Sequence, residues 1–235
     1  MRRSSALALS VAAVLATAAP LRAETVTVEI DGASLSLTLP AGHCPLERGN
    51  AADRGVIETV ERVVASSNRV LAAFADCQQR AEFRAGGRTV LDDYGQYMTP
   101  LRGGRVGLPP DAFARQMTDV FKQQGAALIQ GAEADTRERI ATLRLGIRMG
   151  ENKMLGVLRT DERASYIGLV QNLGLPDGTT KLQVGVAGFG LLKERIVSLN
   201  VYSRFEEGPG GAATTIKVLE TVTQTYAETA RGNAR

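Results

Sequence analysis

Two cysteines, one histidine, two adjacent aspartates and two arginines split by glycines are the residues of this 235-residue chain whose types and spacing could do chemistry. Cys44 and Cys77 are its only thiols, and the sole histidine, His43, sits beside the first. One reading is a nucleophilic thiol activated by that imidazole. Neighbours in an extended chain point to opposite sides, so His43 is poorly placed to deprotonate Cys44. The alternative is a Cys44–Cys77 disulfide, since no third thiol competes for pairing. Such a bridge predicts Cα atoms about 4.4–6.8 Å apart and about 3–4 kcal/mol of stabilisation from loop closure. A single histidine removes HExxH motifs, His-rich metal sites and a chymotrypsin-type triad from consideration.

Asp92-Asp93-Tyr94, with Tyr97 further on, could line an acidic pocket for a metal or a cation. Adjacent carboxylates in a loop more often cap turns or face water, and a hard cation needs more oxygens than this stretch supplies. Arg102 and Arg105 could clamp an anionic group through paired guanidiniums, against the plainer reading of a solvated loop. Gly185-Val186-Ala187-Gly188-Phe189-Gly190 invites a dinucleotide-binding reading. That motif needs a helix to follow, and here a strand pattern continues on both sides, so glycines relieving crowding are the better account. Glu133, Asp135, Arg137 and Arg139 read as i,i+4 pairs on a helix face. Neither a G-x-S-x-G elbow nor a P-loop occurs. The sequence points to no catalytic residue, cofactor or metal.

Arg2-Arg3, the apolar stretch Ala6–Ala19 and the small-residue end at Ala23 have the layout of a secretory signal peptide, with cleavage expected after Ala23. The apolar stretch is too short to span a bilayer as a helix. Residues 1–23 hold Arg2, Arg3 and Arg22 and no acid, so the formal charge of +3 becomes 25 basic against 25 acidic residues in 24–235. A neutral surface has no long-range field to gather nucleic acid or anionic lipid. A periplasmic or secreted location follows, and an oxidising compartment favours the disulfide.

These residues need elements to hold them. Val26, Val28 and Ile30 alternate with polar residues, Asp31-Gly32 supplies a turn, and Leu35, Leu37 and Leu39 alternate again, which predicts a β-hairpin over 25–39. Asn50 is an N-cap for a helix with Val56, Ile57, Val60, Val63 and Val64 on one stripe. A strand over 70–75 and another over 94–98 follow. A helix begins near Asp111, and Gly125 and Gly131 predict that it breaks, with a second piece over about 131–142. Period-two segments at 154–158, 164–173, 182–192 and 195–205 predict an antiparallel meander. In the last, Val197, Leu199, Val201 and Phe205 share one face, leaving Ser198, Asn200 and Tyr202 on an expected wet face. A final helix should turn Ile216, Leu219, Val222, Tyr226 and Ala230 inward. The expected fold is a single α+β domain over 24–235, an antiparallel sheet packed by helices.

This order of hairpin, long helical segment, meander and C-terminal helix resembles the PsbP-like α/β/α sandwich. Gly42-His43-Cys44, the run 68–77 and Met154-Leu155-Gly156-Val157-Leu158 resemble uncharacterised exported proteins of proteobacteria. The resemblance implies an accessory or binding role rather than catalysis. The expectation is therefore a non-enzymatic envelope protein that binds a partner protein or small ligand. The competing reading is a small periplasmic hydrolase using the loop carboxylates.

Overall fold

A computed structural model describes residues 23–144 and 146–234, so the expected signal peptide lies outside the described residues apart from its last position. Strands β1 (Thr25–Ile30) and β2 (Ala33–Thr38) form the hairpin, turning at Asp31-Gly32 with positive φ at both residues. Then come β3 (His43–Pro45), α1 (Ala51–Val64), β4 (Asn68–Asp76), α2 (Cys77–Arg84), β5 (Tyr94–Pro100) and α3 (Pro110–Leu143). The chain finishes with β6 (Arg148–Met149), β7 (Lys153–Thr160), β8 (Ala164–Gly174), β9 (Thr180–Leu192), β10 (Arg195–Arg204) and α4 (Pro209–Asn233). Asn50 caps α1 as its residue type predicts, its Oδ1 accepting from the Ala52 and Asp53 N–H groups.

The hairpin is a separate two-stranded sheet; the remaining strands form an antiparallel sheet ordered β3-β4-β5-β10-β9-β8-β6, with β7 also paired to β8. Helices cover both faces. The hairpin and α4 bury one of them: Leu35, Leu37, Phe74, Tyr97, Val186, Leu199, Val222 and Tyr226 make an apolar core there. The α+β architecture expected from the sequence is the one observed.

The other face of the sheet is not wet. It lies under α1, α2 and α3, and Ser198 and Asn200 are 5 % and 6 % exposed. Polar side chains survive there because they satisfy one another: Asn200 Nδ2 donates to Ser198 Oγ at 3.1 Å and to the Gln96 carbonyl at 3.4 Å. Thr118 on α3 donates to Ser165 at 2.9 Å, and Phe121 packs on Phe189 with ring centroids 5.1 Å apart.

The predicted break in the central helix is absent, and α3 runs unbroken through both glycines. Gly125 is there for space: a Cβ on it would sit 2.6 Å from Met154 Cε of β7, so the glycine lets helix and strand approach. In α4, Val222 and Tyr226 are buried and Leu219 and Ala230 pack against the core as expected, but Ile216 is 57 % exposed and Val218 takes its place on the inward face. The helix over Cys77–Arg84 carries no sequence signal and is an addition to the expected elements. The glycines of β9 do relieve crowding, since Cβ atoms on Gly185 and Gly188 would meet the rings of Tyr202 and Tyr166 at 2.7 and 2.9 Å.

Candidate functional site

Cys44 and Cys77 are joined, with Cα atoms 5.0 Å apart. Cys44 lies in β3 and Cys77 opens α2, so the bond ties the edge strand to the helix that follows β4. The thiol-nucleophile reading is thereby closed. His43 Nδ1 lies 3.3 Å from the Ala41 carbonyl, its ring meets Phe74 edge-on, and its buried Nε2 has no partner among the described residues.

The two loop aspartates face different neighbours. Asp92 pairs with Arg88 at 3.0 Å and with Lys181 Nζ at 3.1 Å. Burial alone would raise its pKa, but Lys181 and Arg88 outweigh that and hold the carboxyl below its ordinary range. Asp93 accepts from Gln79 Nε2 and from the Ser203 hydroxyl. Gln79 Oε1 in turn accepts the Asp92 and Asp93 N–H groups at 2.8 and 3.1 Å. Both carboxylates therefore hold the loop together. Arg105 pairs with Glu194 in the β9–β10 turn, and Arg102 is exposed in the loop after β5. Tyr94 begins β5 and the arginines follow its last residue, so the strand separates the two predicted clusters by about 20 Å. The structure does not bring them together.

Of the predicted residues, Asp92 lines a polar hollow and Tyr94 the apolar cavity beside it. The Tyr94 ring stacks on Tyr202, its cross-strand partner, with centroids 5.0 Å apart. Gln183 Nε2 donates to the Tyr94 oxygen at 3.0 Å and to Gln171 Oε1 at 2.9 Å. Burial pushes the Tyr94 phenol up to about 12, so it stays neutral at every ordinary pH. The Lys181 ammonium lies 5.5 Å from the ring centroid and donates to the Leu91 carbonyl at 2.6 Å. Burial lowers the pKa of this lysine, and the Asp92 charge opposes the shift.

Above this polar floor is an apolar cavity of about 390 Å³. Val56 and Val60 of α1, Phe83 of α2, Val90 and Leu91 of the following loop, and Leu173 and Leu175 at the end of β8 form its walls. Gly55 leaves its α1 side open, since a Cβ there would meet nothing within 4 Å. Thr89, Val90, Leu175 and Lys181 also border a more polar hollow of about 710 Å³, which holds Arg88, Asp92, Asp177 and Arg204. An open apolar hollow with a few fixed hydrogen-bonding groups, beside a wetter one, suits a small organic ligand.

Among the described residues, no group of three or more His, Cys, Asp or Glu side chains could hold a metal ion, and no helix is long and apolar enough to cross a membrane. A scan against models of known protein families and a search of curated proteins find no match for the chain.

Proposed function

We propose that the protein is an exported, non-enzymatic binding protein of the cell envelope that holds a small, neutral, largely apolar ligand between α1 and the sheet. The observation that carries this reading is the 390 Å³ cavity floored by Tyr94 and by Gln183, which Gln171 holds in place. A neutral ligand fits because Lys181, the charged residue of the lining, is matched by Asp92, which Arg88 also pairs, leaving no unmatched charge there to answer a charged guest. Tyr94 and Gln183 supply the hydrogen-bonding groups that would orient one polar substituent.

Binding is favoured over hydrolysis because Asp92 and Asp93, the carboxylates a hydrolase would use, are engaged by internal partners. Export is supported by the disulfide and by the layout of residues 1–23. The likeness to PsbP-like sandwiches points toward the same accessory role.

The test is fluorescence titration with N-phenyl-1-naphthylamine, a neutral aromatic amine with one N–H. The chain has no tryptophan to interfere. Saturable enhancement at one site per chain is expected. A linear, non-saturating response, together with turnover of generic ester or amide substrates that Asp92→Asn abolishes, would favour the hydrolase.

A further inference from the structure

The two edges of the N-terminal hairpin are treated very differently. The outward groups of β2 are answered by side chains. Asn233 of α4 exchanges two hydrogen bonds with Ser36, Thr229 accepts the Thr38 N–H at 3.1 Å, and Tyr97 donates to the Thr38 carbonyl at 2.6 Å. Because Thr27 is the register partner of Ser36 and Thr25 of Thr38, the outward groups of β1 belong to Thr25, Thr27 and Glu29. Of these, only the Glu29 carbonyl has a partner among the described residues, the Arg69 guanidinium at 3.4 Å. An open row of N–H and C=O groups on a β-branched strand is a template for another strand.

We propose that the occupant of this edge is β1 of a second copy, paired antiparallel about a two-fold axis at Thr27 to give a four-stranded β2-β1-β1-β2 sheet. The sequence of β1 is self-complementary in that register. Thr27 meets Thr27, and Val26 meets Val28 of the other copy in two equivalent cross-strand pairs, which cover valines left half-buried in the single chain. The one charged residue of the strand, Glu29, falls opposite Thr25, about 13 Å along the strand from the other Glu29. Parallel pairing would set the two glutamates side by side. The contact is small, so association in the micromolar range or weaker is expected. The inference is independent of the cavity.

The test uses sedimentation over a concentration series on the purified chain and three variants. Wild type and Thr27→Ala should shift toward twice the chain mass. Thr27→Pro removes only an outward N–H, a change an edge strand tolerates, and should weaken association at least about tenfold while leaving the thermal midpoint near that of wild type. Thr27→Cys should be joined into a covalent dimer by a short bifunctional maleimide, because the two side chains stand about 5.5 Å apart on the same face across the axis. A wild-type chain that stays at single mass throughout overturns the proposal, as does Thr27→Pro associating like wild type. If Thr27→Pro fails to fold, the Thr27→Cys chain decides: no cross-linked dimer overturns it.

Discussion

The side-chain amide of Asn233 pairs with the backbone of Ser36 as a neighbouring strand would, donating from Nδ2 to the Ser36 carbonyl at 2.7 Å and accepting the Ser36 N–H on Oδ1 at 3.0 Å. The residues are 197 positions apart, so the last turn of α4 closes the edge of the second strand. Nδ2 also donates to the Thr229 carbonyl at 2.8 Å. Asn233→Ala should lower unfolding free energy by about 1–3 kcal/mol, because the orphaned edge groups of Ser36 are half-buried. Urea denaturation measures it, and an unchanged midpoint would show that the Asn233–Ser36 pairing does not contribute to holding the hairpin.

Reduction of Cys44–Cys77 should cost about 2–5 kcal/mol, toward the lower end for a core of this size. Cys44→Ser and Cys77→Ser should each show that loss, with little further loss in the double variant, since both remove one bond. Thiol alkylation of the folded, oxidised protein should label neither residue.

Asp53 is fully buried in the first turn of α1, where it accepts the Glu47 N–H at 2.8 Å and pairs with Arg84 of α2. Burial would raise its pKa, but Arg84 and the Glu47 N–H outweigh it and hold the carboxyl below its usual value. Arg84→Met leaves that carboxylate buried and unpaired and should destabilise by about 3 kcal/mol. In the double variant Asp53→Leu/Arg84→Met much of the loss should return, a comparison read from the two urea midpoints.

His43 gives a pH dependence with a single source. Burial lowers its pKa below the ordinary value, against the pull of the Ala41 carbonyl and of Asp76 and Asp93. The unfolded chain therefore takes up the proton more readily than the folded one. This contribution to stability is full above about pH 6.5 and is lost as pH falls from there through the lowered folded value. No other histidine is present, so His43→Gln should flatten the urea midpoint between about pH 7 and pH 5. A slope that survives the substitution would place its origin elsewhere.

The hairpin, the α1 cap and β10 were legible because period-two alternation and an N-cap asparagine act locally. Helix α2 was not: Phe83 is the one large apolar residue in Cys77–Arg84, and what starts the helix is Asp76 accepting the Gln79 N–H at 2.9 Å. A central helix split at Gly125 and Gly131 follows from propensity alone; in the structure the helix is continuous and Met154 packs against the bare backbone at Gly125. Asp92, Asp93 and Tyr94 were visible as a polar run. Their partners Gln79, Lys181, Gln183 and Ser203 come from other elements, so the cavity they border could not be read from spacing.

The central claim is that the chamber beside α1 is a ligand site, and Gly55 tests it most directly. Leucine there improves helix propensity by about 1 kcal/mol and adds a bulky side chain at an unobstructed position on the cavity lining. The measurement is the affinity of wild type and Gly55→Leu for N-phenyl-1-naphthylamine, set beside their thermal midpoints. The account predicts at least about tenfold weaker binding by the variant, with equal or higher thermal stability. Equal affinity in the two chains, or no saturable binding by wild type, would contradict it.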